Sequence, residues 1–141
     1  WSAATGGAAG ASVPTSADNT IFNANSFTAA SQVLTVDATA NCLDMNWTGA
    51  TNTPTFTFAN TVRLTTTGNV TFIAGMGFVA PPSFAYLKMG GTGILTTAGK
   101  TIPLVLEISG TSITFADAVT IAGSDYPQLK LQLGTLVNAR I

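Results

Sequence analysis

Residues 87–121, LKMGGTGILTTAGKTIPLVLEISGTSITFADAVTI, contain the pattern that decides the fold. In this stretch a short alternating strand runs into a glycine, and a second strand starts shortly after it. The recurrent glycines of the whole chain are Gly49, Gly68, Gly91, Gly110 and Gly134. A period of about twenty is typical of a solenoid, in which each coil buries its apolar face only by stacking on the next. The pattern predicts an all-β fold, a parallel β-solenoid (β-helix).

Alternation of apolar and polar residues supports this prediction. Segments such as LVLEI at 104–108 and LKLQL at 129–133 place one set of side chains inward and the other set outward. Lys88 and Glu107 stand at the same position before Gly91 and Gly110, so the glycine alignment predicts that they are neighbours on adjacent coils and face solvent. No long stretch has helical periodicity, so we expect essentially no helix.

An antiparallel β-sandwich or jelly roll is the alternative architecture. It would use the same short strands, with turn signals at regular short intervals. The repeated order of strand, glycine and strand favours the solenoid. The absence of Asn-Gly and Asp-Gly pairs, which are the strongest hairpin signals, favours it too.

The N-terminal region differs from the rest of the chain. Residues 1–20, WSAATGGAAGASVPTSADNT, are small and nearly uncharged, and Gly6, Gly7 and Pro14 argue against a helix. We predict an extended arm over residues 1–20 and a β-solenoid domain over residues 21–141. Trp1 is expected to dock on the body or on a neighbouring subunit, because exposure of its large aromatic ring to water is energetically unfavourable. The start at Trp1, without a methionine, predicts a processed product or a segment of a longer protein.

Charge is scarce throughout the sequence. Charged residues make up 8% of the chain, against about 25% in typical globular domains. Threonine, asparagine and serine replace them, which predicts either a surface covered by copies of the same chain or an extracellular setting. A threonine-rich β-protein with few charges is the plainer interpretation.

Two classes of partner are not expected. The five basic residues are scattered along the sequence and the net charge is −1, so we expect no basic patch and no nucleic-acid binding. No apolar run is long enough for a membrane-spanning helix, so we expect no membrane insertion. The basic residues are Arg63, Lys88, Lys100, Lys130 and Arg140.

The residue types limit the available chemistry. No histidine occurs, which excludes Ser-His-Asp and Cys-His catalysis within this chain and most zinc sites. Cys42 is the single cysteine, so no intrachain disulfide can form, and its apolar surroundings predict a buried, inert thiol; an intermolecular disulfide is the alternative. No cofactor and no metal are expected.

Carboxylates remain as catalytic candidates. They are Asp18, Asp37, Asp44, Glu107, Asp117 and Asp125. Asp37 and Asp44 are the pair that could approach across a turn, as in carboxylate-dependent polysaccharide cleavage. Turn and capping roles are favoured for Asp18, Asp37 and Asp125. The chain is therefore predicted not to be an enzyme.

Exposed aromatic rings are the candidates for sugar contacts. Trp1, Tyr86 and Tyr126 fall outside the inward phase, and we take Tyr86 and Tyr126 as candidate glycan contacts. The inward phase carries Trp47, Phe56, Phe58, Phe72 and Phe115.

Residues 13–19 (VPTSADN), 23–27 (NANSF), 34–37 (LTVD) and 41–49 (NCLDMNWTG) carry a resemblance. They resemble a β-solenoid module of repetitive secreted bacterial surface proteins and of phage tail-fibre-like proteins. The resemblance covers residues 1 to about 75, and the lead-in expected before Trp1-Ser2 is missing. It implies an extracellular or virion structural role and supplies no catalytic residue.

The expected function is that of a structural protein, a self-assembling subunit of an extracellular filament, a cell-surface structure or a phage fibre. Open solenoid ends leave strand edges unpaired, and a head-to-tail contact that does not close produces a filament. The predicted assembly contacts are Trp1, Val13, Leu129, Leu131, Leu133 and Ile141. The alternatives are an adhesin or carbohydrate-binding module and, third, a polysaccharide-degrading β-helix.

Overall fold

The computed structural model describes residues 10–122, 128–132 and 135–137, with the side chain of Leu136 left out. In these ranges the chain forms strands and turns, and no helix is present that is long and apolar enough to cross a membrane. Every strand pairing in them is parallel. The fold is a β-solenoid of about five turns. The alternative prediction of an antiparallel sandwich is wrong, because that fold requires antiparallel strand pairings and the observed pairings are parallel.

Three faces surround the core, and the chain visits them in the same order in every coil. The first face consists of β1 (Thr20–Ile21), β4 (Met45–Asn46), β7 (Val70–Thr71), β10 (Thr92–Thr96), β13 (Ser112–Phe115) and β16 (Thr135–Val137). The second position holds β2 (Val33–Val36), β5 (Thr55–Phe58) and β8 (Gly77–Phe78), then the pair β11 (Thr101–Ile102) and β14 (Thr120–Ile121). The third face consists of β3 (Ala40–Cys42), β6 (Arg63–Thr66), β9 (Tyr86–Met89), β12 (Val105–Ile108) and β15 (Leu129–Leu131).

Coil length is not uniform, which corrects the predicted period. On the first face Thr20 pairs with Met45, and Met45 pairs with Val70, so the early coils are long. The later coil that pairs Thr92 with Ser112 is shorter. The connections between faces set these lengths, since all of 47–54 joins β4 to β5 whereas only 97–100 joins β10 to β11.

The alignment of Gly49 with the later glycines is wrong. The backbone N–H of Gly68 donates to the carbonyl of Leu43, so Leu43 occupies the equivalent corner in the preceding coil. Gly49 lies instead after β4, on the way from the first to the second face. A repeat based on glycine alone missed this corner because it carries Leu43 instead of glycine.

Glycine is required where two corners stack most closely. A Cβ atom on Gly91 would overlap the carbonyl of Thr67, and one on Gly110 would overlap the carbonyl of Gly91. These contacts involve backbone atoms that cannot rotate away. The corner before β10 and β13 therefore accepts only a residue without a side chain.

The core lies between the faces and changes character along the axis. In the early coils it is aromatic: Phe22, Trp47 and Phe72 occupy equivalent positions in successive coils, and the rings of Phe22 and Trp47 stack with centroids 4.0 Å apart. In the later coils it is mainly aliphatic, with Leu106 and Ile108 buried, although Phe115 is buried there too. Each such buried side chain contributes about 1.5–3 kcal/mol through removal from water.

The segment before the first coil is described from residue 10 onward. Residues 10–14 carry no strand, and Val13 is 62% exposed. Thr15 and Asp18 close a turn in which the Thr15 hydroxyl donates to Asp18 Oδ2 at 2.6 Å. The solenoid begins with Thr20, next to the predicted boundary, whereas Trp1 lies outside the described residues.

Candidate functional site: the open end of the solenoid

The last coil leaves an apolar position uncovered within the part of the chain that the structure describes. On the third face, Leu131 of β15 stacks in register on Ile108 of β12. Ile108 is 1% exposed, whereas Leu131 is 59% exposed. Leu131 thus has the inward phase of a core residue, and among the described strands β15 pairs with β12 alone, at the edge of its sheet.

The opposite end is partly closed by aromatic rings. Phe22 and Phe27 are buried against Trp47, with the Phe27 and Trp47 centroids 5.7 Å apart. Beside them, β1, β2 and β3 stand at the edges of their sheets among the strands that the structure describes, and Leu34 and Val36 on β2 are only half-buried. Both ends therefore offer parallel strand edges beside apolar side chains.

The predicted assembly residues divide between the two ends. Leu129 is half-buried on Leu106, and Leu131 is exposed beside it at the C-terminal end. Val13 is exposed in the segment that precedes the first coil. Trp1, Leu133 and Ile141 lie outside the described residues.

A charged cluster occupies the outer side of the third face. The register stacks Lys88 on Glu107 and Glu107 on Lys130, so the predicted neighbour relation of Lys88 and Glu107 is confirmed. Lys88 Nζ lies 3.4 Å from Glu107 Oε1, and Arg63 Nη2 lies 3.3 Å from Glu107 Oε2. With the amide of Gln132 oriented to suit both neighbours, its nitrogen donates to Glu107 Oε1 at 3.2 Å and its oxygen accepts from Lys130 Nζ at 3.1 Å.

This cluster corrects two expectations. Glu107 points outward but is 1% exposed, because the longer side chains around it cover it. The basic residues are scattered along the sequence, yet Arg63, Lys88 and Lys130 meet on one face because each coil returns the chain to that face. A buried carboxylate is tolerated only with such partners.

Arg63 also contacts Tyr86, one of the candidate glycan residues. The guanidinium carbon lies 4.8 Å from the centre of the Tyr86 ring, within the range of a cation–π interaction. Arg63 Nε is buried without a hydrogen-bond partner among the described atoms. The Tyr86 ring is half-buried beneath the arginine, and Tyr126 lies outside the described residues.

The two members of the predicted carboxylate pair, Asp37 and Asp44, have different surroundings. Asp44 Oδ1 accepts from the backbone N–H of Asn69 at 2.6 Å, while Asp37 is exposed after β2. Asp18 caps its turn, and hydrogen bonds from the Thr15 hydroxyl and backbone lower its pKa. Asp117 Oδ1 accepts from the Thr97 N–H at 2.9 Å. Asp125 lies outside the described residues.

Metal ligands are not grouped either. In the described ranges, no three His, Cys, Asp or Glu residues are placed to hold a metal ion. Cys42 is buried, as predicted, and burial raises the pKa of its thiol to about 11. A thiol that stays protonated near neutral pH is a poor nucleophile.

Sequence reasoning missed a polar ladder at the corner before the first face. Asn19 Oδ1 accepts from the N–H of Asp44 at 3.3 Å, and Asp44 Oδ1 accepts from that of Asn69. Asn69 Oδ1 in turn accepts from the N–H of Ile94 at 3.0 Å. The available signal was the constant spacing of Asn19, Asp44 and Asn69, each at the same short distance before a core aromatic.

Comparison with known proteins adds no relative. No family model matches this chain, and no curated protein or solved structure matches it.

Proposed function

We propose that this protein is a structural, self-assembling subunit of an extracellular filament, cell-surface structure or phage fibre. The contact joins the C-terminal end of one copy to the N-terminal end of the next. Such a head-to-tail contact is heterologous and does not close, so it propagates into a fibre.

The exposed inward-phase Leu131 is the observation that carries this proposal. Leu131 occupies a core position on an edge strand but is 59% exposed. A further coil placed upon it would remove its apolar surface from water and pair the free strand edge. In a second copy the matching surface is the edge of β1, β2 and β3, where Leu34 and Val36 are half-buried. Parallel pairing across this junction would continue the pairing already present between coils.

The low charge of the chain supports the same proposal. With 8% charged residues, little electrostatic repulsion opposes the approach of identical copies. Each backbone hydrogen bond formed across the junction is worth about 0.5–1.5 kcal/mol, and apolar burial at Leu131 adds to it.

Negative-stain microscopy and sedimentation velocity of the full chain test the proposal. We expect rods or filaments that grow with concentration, in place of 14.3 kDa particles. Leu131→Arg should shift the population toward monomers, because the junction would bury an unpaired charge. Isolated monomers of the unaltered chain at every concentration would refute self-assembly.

Val79→Arg is the matched control. Val79 is comparably exposed but lies after β8 on the side of the solenoid. We expect it to assemble as the unaltered chain does. Equal assembly of the Leu131→Arg and Val79→Arg variants would show that the C-terminal end is not the contact.

A further inference from the structure

We propose that the outer side of the third face binds a linear acidic polysaccharide through Arg63, Lys88 and Lys130. This site lies on the side of the solenoid, so it goes beyond end-to-end assembly and remains accessible along a filament. The ligand class is a sugar chain that carries carboxylates, which runs parallel to the solenoid axis.

Charge balance is the first argument. Arg63 and Lys88 contact the single carboxylate of Glu107, and Lys130 stands in register with it, so the cluster carries a net charge of +2 in a chain whose net charge is −1. Three of the five basic residues of the whole chain are gathered here. Three of the four basic residues that the structure describes are thus gathered in one region of a surface poor in charge.

The cations also retain unused binding capacity. Their contacts with Glu107, at 3.3 and 3.4 Å, are longer than the roughly 2.7–2.9 Å of a strong charge-assisted hydrogen bond. Lys130 reaches the amide of Gln132 rather than the carboxylate. The side chains of Arg63 and Lys88 are 38% and 26% exposed, so a ligand anion can approach them.

Buried Glu107 and the Tyr86 ring position the cations before any ligand arrives. Glu107 contacts Arg63 and Lys88, and Tyr86 packs against the guanidinium group. Holding long side chains in place before the ligand arrives reduces the conformational entropy lost on binding. The cluster is therefore organised for an incoming anion.

The spacing of the cations fits an extended chain. Arg63, Lys88 and Lys130 belong to the second, third and fifth coils, and coils lie about 4.8 Å apart. The cluster therefore extends about 14 Å along the axis, with Arg63 two residues to one side of the register row that contains Lys88 and Lys130. Asn41 and Thr65 continue the row that contains Lys88, and their polar side chains suit sugar hydroxyls.

Nucleic acid fits this row less well. Duplex DNA is densely charged, and its binding depends on neutralising many phosphates. Three cations with a carboxylate among them provide too few such contacts. A polyuronate, with one carboxylate per sugar, matches the lower charge density of the cluster.

Biolayer interferometry with immobilised polygalacturonate tests the assignment, with dextran as the neutral polymer and a thymidine oligonucleotide as the nucleic acid. We expect salt-sensitive binding to polygalacturonate alone. The triple variant Arg63→Gln, Lys88→Gln, Lys130→Gln should weaken binding at least about tenfold, a loss of about 1.4 kcal/mol. Lys100→Gln, which removes a cation at a distant turn, is the matched control and should bind normally.

Several results would overturn the proposal. They are polygalacturonate binding no tighter than dextran, tighter binding of the oligonucleotide, or equal binding by the triple and Lys100→Gln variants. If the triple variant fails to fold, Lys130→Gln at an exposed position should still weaken binding about threefold. The Leu131→Arg variant separates the two proposals, since it should bind polygalacturonate without assembling.

Discussion

The early and the late coils of this solenoid reach the same fold by different means. The early coils, residues 20–89, combine a ladder of Asn and Asp side chains with a stack of aromatic rings. The late coils, residues 92–131, include the shortest coil, have a mainly aliphatic core, and place glycine at the closely stacked corner before β13. The difference teaches that adjacent coils are joined at a corner in one of two ways. Either a side chain accepts a hydrogen bond from the backbone of the next coil, or a glycine without a side chain lets the two backbones approach closely.

The largest expected difference between the regions concerns the core. Trp47→Ala should lower the free energy of unfolding by about 4 kcal/mol, because it removes a ring that contacts Phe22, Phe27 and Phe56. Leu106→Ala in the late coils should cost about 3 kcal/mol. Urea unfolding measures both.

Trp47→Phe is the control for that comparison. It keeps an aromatic ring and removes an indole N–H that has no hydrogen-bond partner among the described residues, so it should cost no more than about 1.5 kcal/mol. If Leu106→Ala proved more damaging than Trp47→Ala, the aromatic stack would not be the stronger half of the core.

The glycine corner of the late coils should be nearly as sensitive. Gly110→Ala forces a Cβ atom onto the carbonyl of Gly91, and we expect a loss of about 3 kcal/mol in unfolding free energy. Thermal denaturation followed by circular dichroism measures this loss. Gly75→Ala, where the nearest atom is Ile73 Cδ1 at 4.0 Å, should stay within about 0.5 kcal/mol. Similar stability of the two variants would remove close backbone approach as the reason for glycine.

The polar ladder of the early coils should contribute less per position. Asp44→Ala leaves the Asn69 N–H without its acceptor and should lower the unfolding free energy by about 1.5 kcal/mol. Asp44→Asn keeps a side-chain oxygen and should cost about 0.5 kcal/mol or less. Hydrogen exchange at the Asn69 amide reports the loss directly; unchanged protection in Asp44→Ala would contradict the ladder.

A pH-dependent contribution to stability is expected from Cys42 on β3. Burial raises the pKa of the folded thiol from 9.0 to about 11, so the folded state favours the protonated form. This contribution to stability is fully present below pH 9 and is lost as the pH rises from 9 toward 11. The unfolding free energy should therefore fall more steeply across this interval in the unaltered chain than in Cys42→Ala. Parallel curves would show that Cys42 does not contribute.

Much of the fold follows from local patterns. The alternation around Leu106 and the glycines before β10 and β13 predict parallel coils, and the stacking of Lys88 on Glu107 confirms the register there. The burial of Glu107 could not be predicted, because it depends on Arg63, far earlier in the chain, reaching across an intervening coil.

The candidate sites were predictable to different degrees. Leu131 was identifiable as an inward residue near the end of the chain, but its exposure depends on what stacks above it. The charged cluster of Arg63, Lys88 and Lys130 could not be identified from the sequence. Unequal coil lengths decide which distant positions of the chain become neighbours on a face.

By itself, the sequence determined the parallel coiled path and the inward face of each strand, because two-residue alternation and corner glycines act locally on the backbone. Only the tertiary structure decided the length of each coil, and with it the neighbours on each outer face. Loop length changes register without changing the strand pattern, so side chains far apart in the chain meet only once the coils have stacked.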